Sequence, residues 1–129
     1  MRKSAHVLFV NADNQVLLRL RDDRPDLPYP GQWDLVGGAV EAGETLVEAA
    51  IREIKEEIDL DITDLEYFGE YPELVHNNVF VAPLNLPLEA IELNEGQCLR
   101  YATAEQRFSL PLVSWVSKLL DDYFRPKGQ

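Results

Sequence analysis

An α/β fold of strands interleaved with two helices is what this chain predicts, and three observations predict it. Strand-like apolar runs come first, one strongly periodic helix follows, and further strands and a second amphipathic helix come after it. At 129 residues the chain suits one compact domain, expected to span 1–129, with a single sizeable core.

The elements follow in order. Residues 5–10 and 15–20 are apolar runs separated by Asn11-Ala12-Asp13-Asn14, whose residue types suit a turn, so they predict a hairpin. The stretch from Arg24 to Gly31 carries Pro25, Pro28 and Pro30. Proline has no N–H to give a ladder, so this is a loop. Residues 32–36 predict a short strand ending at Gly37-Gly38.

The clearest helix covers residues 46–58. Thr45 is a good N-cap, and Glu48 completes a capping box. Val47, Ile51, Ile54 and Ile58 recur at helical spacing and are expected to face the core. Further strands are expected at 65–71 and 75–84, before Pro83 and Pro87 punctuate the chain. A helical turn is expected at 103–108. Leu112, Val116, Leu119, Leu120 and Tyr123 then mark a C-terminal helix over about 111–124.

Composition excludes several classes. The net charge is −11, from 23 acidic and 12 basic residues, which repels nucleic-acid backbones and anionic membranes. No apolar run is long enough to cross a bilayer. The run behind the basic N-terminus stops at Asn11, too short for a secretory signal. Cys98 stands alone, so there is no internal disulfide and no cysteine-based zinc site. A cytoplasmic protein, monomer or homodimer, with no nucleic-acid polymer or membrane as partner, is the expectation.

The chemistry concentrates in one stretch. On the helix, Glu53, Glu56 and Glu57 stand at i, i+3 and i+4, so their carboxylates share an arc of about 100°. Like charges at that spacing repel by roughly 0.2–0.5 kcal/mol per pair. A hard divalent cation offsets this, because Mg²⁺ prefers carboxylate oxygens and keeps waters that phosphate can replace. On this reading Glu57→Gln removes repulsion and leaves the fold intact or slightly more stable. Isolated, such a triplet reads first as a solvated acidic face, which is common on surface helices. Gly37, Gly38 and Gly43 precede it, and their freedom lets a carbonyl turn toward a metal or an N–H toward an anion.

Gly38, Glu44, Arg52, Glu53, Ile54, Glu56, Glu57 and Leu60 together match the Nudix box at its fixed spacings, so the chain resembles the Nudix hydrolase family, MutT-like branch. Asp59 departs from the box, which has glycine there. It falls just past the helix end, where a left-handed residue is common and Asp tolerates the conformation. Val36 departs where many members have proline.

The resemblance implies an α/β/α sandwich and an Mg²⁺-dependent hydrolase, Mn²⁺ being a possible substitute, acting on a small nucleotide. By position, Glu53, Glu56, Glu57 and the Gly38 carbonyl are the candidate metal ligands. Glu53, Glu56, Arg52 and Glu95 form the candidate catalytic set, with Arg52 orienting a glutamate through an ion pair and Glu44 stabilising the loop. Glu95 enters because Asn94-Glu95-Gly96-Gln97 looks like the Glu-Gly-Gln segment of MutT-like members. Gly37, Gly38 and Arg21 are candidate substrate contacts. Arg19 and Arg21 alternate on one strand face and could meet phosphates.

Specificity is less legible. No asparagine follows Asn94 to read an oxidised guanine as MutT-like members do. Val75 and His76 stand where ADP-ribose hydrolases of the family carry a proline, and the tyrosine of dinucleoside polyphosphate hydrolases is missing. A nucleoside or deoxynucleoside triphosphate is the least contradicted substrate. Trp33, Tyr29, Phe80 and Tyr101 are available for base stacking. Two rivals stay open within the family: a catalytically silent nucleotide-binding module, and an ADP-ribose or dinucleoside polyphosphate hydrolase. Outside it, the rival is an unrelated globular protein whose acidic helix is only a soluble surface or a protein-interaction face.

Overall fold

A computed structural model of the protein describes residues 2–126. Its strands are β1 (Lys3–Val10), β2 (Val16–Leu20), β3 (Trp33–Asp34), β4 (Val36–Ala39), β5 (Glu66–Glu73), β6 (Val75–Pro83) and β7 (Cys98–Ala102). Two helices accompany them, α1 (Leu46–Ile58) and α2 (Ser114–Tyr123). The strands form one mixed seven-stranded sheet, ordered β3-β2-β1-β6-β5, with β4 also on β1 and β7 also on β2.

Period-two burial along β1 explains the layering. Ala5, Val7 and Phe9 pack with Ala50, Ile54 and Ile58 of α1, whereas Leu8 packs with Val116, Leu119 and Leu120 of α2. The two cores lie on opposite faces of the sheet, giving the expected α/β/α sandwich. Burying a side chain such as Phe9 or Leu8 contributes roughly 1.5–3 kcal/mol. No helix among the described residues is long and apolar enough to cross a membrane.

The expected hairpin has its turn, with Asn14 in the left-handed region at φ 58°, but little of its ladder. β1 and β2 are in register only at Val10↔Val16. Further along, β1 pairs instead with β4, from Ser4↔Ala39 to Val7↔Val36, and in parallel with β6. β2 pairs with β3 and with β7, the latter from Val16↔Ala102 to Leu20↔Cys98. The sheet therefore forks between β1–β4 and β2–β3. β7 was not anticipated: its short alternation of Leu99 and Tyr101, which pack on the α1-side core, is overshadowed by polar neighbours.

Three expectations need correction. Gly37 and Gly38 do not follow a strand; they lie inside β4, and the stretch read as one strand is β3 and β4 separated at Leu35. The C-terminal helix begins at Ser114, because the preceding residues pair with Trp33: Trp33 N–H donates to Pro111 O at 2.8 Å and Val113 N–H to Trp33 O at 3.0 Å.

The third correction concerns α1. Its capping box forms, and Asp59 caps it in the left-handed conformation at φ 53°, as the residue types predicted. Its buried face, however, is centred elsewhere. Glu57 is 2% exposed, while Val47 is 44% and Ile51 36% exposed. At about 100° per residue, Ala50, Ile54 and Glu53 lie within about 60° of Glu57, and Ile51 lies roughly 120° away. The Glu53 and Glu57 carboxylates share one face with the apolar side chains, and Glu56 lies outside it.

Candidate active site

Glu57 is the centre of the arrangement. Its Oε2 accepts the Gly37 N–H at 2.9 Å, and its Oε1 accepts from Arg19 Nη1. Arg19 is itself 5% exposed and also contacts Asp34, Nε to Oδ1 at 3.3 Å and Nη2 to Oδ2 at 3.3 Å. Arg21 donates to Asp34 Oδ2 at 2.8 Å and to Pro28 O at 2.9 Å. The fork in the sheet makes this possible, since it brings β2 and β3 beside the α1 residues that reach β4. Arg19 lies in β2 and Arg21 one residue beyond its end, so they do not share a strand, and both are committed to carboxylates.

Glu53 packs against Gly38. A Cβ on Gly38 would lie 2.6 Å from the Glu53 Cδ and Oε2, so only glycine leaves that carboxylate its place. Burial pushes the Glu53 carboxyl above its ordinary range, against the pull of Arg52, and the charges of Glu56 and Glu95 push it the same way. Glu56 is mostly exposed, and Glu95 is exposed on its loop.

Arg52 ties the box together. It donates to Glu44 at 2.7 and 2.9 Å, to Glu53 at 3.0 Å, to Glu56 at 3.3 Å and to the Ala39 carbonyl at 2.9 Å. The hydrogen bond from Arg52 holds the Glu44 carboxyl down at about 2, helped by the Glu41 backbone N–H. The orienting role expected of Arg52 and the loop role expected of Glu44 have this geometry behind them.

A depressed folded-state pKa is a stability statement with a sign. The Glu44 contribution is fully present above the unfolded value near 4.5 and is lost as pH falls toward 2. Melting curves of wild type and Glu44→Gln are therefore expected to differ most above pH 5 and to converge by about pH 2. A gap that stays constant across that range would count against the assignment.

Gly37 and Gly38 form part of the wall of a cleft of about 340 Å³, which Arg19, Arg21, Asp34, His6, Tyr29 and Glu95 also line. A larger depression of about 460 Å³ lies between β5 and α2, but no candidate residue lines it. Gly37 needs to be glycine for two reasons. Its φ is +150°, and a Cβ would lie 2.4 Å from Ala5 O and 2.5 Å from His6 Cα. His6 is buried at 7% exposure, its ring 4.9 Å from that of Trp115. Burial, then the charges of Arg19 and Arg21, push its pKa down to about 3, so the ring is neutral.

Of the aromatics proposed for stacking, Tyr29 lines the cleft. Phe80 is in the core, Tyr101 is bonded to Leu86 O at 2.8 Å and Trp33 lies under Arg100. Sequence reasoning missed His6, Asp34, Asn77 and Trp115. No local motif marks them, because each meets the site through strand pairing or helix packing.

The NUDIX domain family matches residues 1–100. The chain belongs to the Nudix family. Among curated relatives, this Nudix chain is 47% identical to the ADP-ribose pyrophosphatase of Methanocaldococcus jannaschii over 92% of its own length and 71% of the relative's. It is 26% identical to the CTP pyrophosphohydrolase of Escherichia coli over 88% and 85%. Of the first curated relatives it matches, it spans only 16% to 27% of their length. The MutT protein from Methanosarcina mazei Go1 shares its fold, with a TM-score of 0.80 at 21% identity over 99% of this chain and 96% of that one.

The family implies a divalent cation, and this Nudix site fits one. Glu53 packs on Gly38 and feels the charges of Glu56 and Glu95, and among the described residues Arg52 is the only cation bonded to Glu53 and Glu56. Among the described residues no three ligands converge in readiness, because Arg19 holds Glu57 and Arg52 holds Glu53.

Proposed function

We propose that the chain is an Mg²⁺-dependent hydrolase of the pyrophosphate bond in a nucleoside diphosphate joined to another moiety. One observation carries this reading: the buried Glu57 and half-buried Glu53 carboxylates press on Gly37 and Gly38, and those glycines wall the cleft. Glu53, Glu56, Glu57 and the Gly38 carbonyl would hold the cation. When bound, it supplies phosphate charge neutralisation and a more acidic water.

The chain's own residues do the rest. Arg52 orients Glu53 and Glu56. Arg21, one residue beyond β2 and more exposed than Arg19 at 22% of its side chain, reaches the cleft where phosphate would enter. Glu95 lines the cleft and its charge is felt at Glu53, which supports a role as supporting base or ligand. Glycine at 37 and 38 lets a substrate approach the backbone closely.

For the substrate, a nucleoside or deoxynucleoside triphosphate remains the first reading, since the landmarks of other specificities are missing. The 47% identity to an ADP-ribose pyrophosphatase favours a second, ADP-ribose itself. A panel of dNTPs, NTPs and ADP-ribose, with and without Mg²⁺, separates them by product. Nucleoside monophosphate with pyrophosphate supports the first; AMP with ribose 5-phosphate supports the second. Nucleotide-induced thermal stabilisation without any turnover would leave a silent binding module.

A further inference from the structure

His6 is tied into a chain of hydrogen bonds that has one consistent polarity. Asn77 Nδ2 donates to three backbone carbonyls, Tyr71 O at 2.9 Å, Glu73 O at 3.3 Å and Val75 O at 3.4 Å. Those carbonyls accept only, so the amide cannot be flipped, and Asn77 Oδ1 must face Ser4. Ser4 Oγ donates to that oxygen at 2.7 Å, which uses the hydroxyl's single proton. The remaining contact, Ser4 Oγ to His6 Nδ1 at 3.3 Å, is then a bond only if Nδ1 carries the proton. With the ring neutral, Nε2 is left as a bare acceptor.

His6 lines the cleft, and among the described residues its one side-chain hydrogen bond is at Nδ1, which leaves Nε2 without a partner. Nor is it sealed in: the enclosed side-chain nitrogens without partners there are His76 Nδ1 and Arg107 Nε. Ser4, His6 and Asn77 are each more than nine-tenths buried, and Trp115 backs the ring, so the lone pair is fixed in direction. A phosphate oxygen is repelled by such a lone pair, whereas a hydroxyl or N–H is held.

We propose that His6 Nε2 is a specificity-determining acceptor for a hydrogen-bond donor on the nucleoside part of the substrate, a sugar hydroxyl or a base N–H. The identity of the ligand rests on the nucleotide-hydrolase reading; the tautomer does not. A site built around a buried acceptor discriminates against an analogue lacking the donor, because the acceptor is then left dry and unpaired. Asn77 and Ser4 are positioning residues, acting through the ring.

The test has two parts. The protein has two histidines, so long-range ¹H–¹⁵N spectra at pH 7.5 report the His6 tautomer directly. The Nδ1–H form is expected, and an Nε2–H form overturns the proposal. Kinetics then compare substrate pairs differing by one donor: ATP with dATP, ATP with purine riboside triphosphate, and GTP with ITP. Wild type is expected to favour the donor-bearing member of one pair by roughly 10- to 100-fold.

His6→Phe, which keeps a flat ring against Trp115, should bring that ratio to about 2-fold or less through KM, with kcat and the other ratios kept. Collapse of the ATP/dATP ratio identifies a sugar hydroxyl, and collapse of either other ratio a base donor. Ser4→Ala, which frees the tautomer without touching the ring, should erode the same ratio and serves if His6→Phe does not fold. Unchanged ratios, or an equal loss on every substrate, overturn the proposal. If wild type hydrolyses nothing, the hydrolase reading fails, and the same ratios measured as Kd still decide the role of His6.

Discussion

Glu57→Gln is expected to lower the stability of the metal-free protein by about 3 kcal/mol, or roughly 10 °C in melting temperature. The arc of three glutamates implied the opposite, relief of repulsion. Glu57, however, is buried and accepts on both oxygens, from Arg19 on one and Gly37 N–H on the other. A glutamine has one acceptor. Whichever way the amide turns, one contact becomes donor against donor, and Arg19 loses half of its counter-charge. Asp34 still holds Arg19, which keeps the loss near the lower end for a broken buried pair. Turnover should fall by roughly 100-fold or more in the same variant. A thermal melt without metal checks the first part, and an unchanged or raised melting temperature would refute the account of Glu57.

Gly38→Ala should separate function from folding. The added methyl lands 2.6 Å from the Glu53 carboxylate, the movable end of a flexible side chain. Glu53 swings aside and the backbone stays, so the stability change is expected within about 1 kcal/mol. Mn²⁺ affinity and turnover should each fall by roughly 10- to 100-fold, as when a ligand loses its orientation. Gly37→Ala is the contrast, since its methyl meets the Ala5 carbonyl and the His6 backbone and must disturb the strand. Calorimetric titration of Mn²⁺ beside a urea melt distinguishes the two. Equal damage to binding and folding in Gly38→Ala would show that Glu53 is not what the methyl displaces.

Much of the box was legible because its signals are local. Thr45 and Glu48 bond within one turn, Asp59 takes a torsion its own side chain permits, and Arg52 reaches glutamates on its own helix and the loop just before it. β1, β2, β5 and β6 were legible to within a few residues for the same reason, whereas β7 was missed and β3 and β4 were read as one. What failed was orientation. Val47 and Ile51 satisfied the helical period, yet the packed face is the one centred on Glu57, because Arg19 makes a buried carboxylate tolerable there.

Residue types and short spacings were enough to state the helix that carries the glutamates, its caps and the family resemblance, and that resemblance implied the sandwich of layers. They act through torsions and bonds a few residues long. The fork in the sheet, the burial of Arg19 against Glu57 and Asp34, and the chain from Asn77 through Ser4 to His6 came from the folded molecule. Each joins positions far apart in the chain, and pairing of that kind depends on which strands meet and in what register, which no local pattern records.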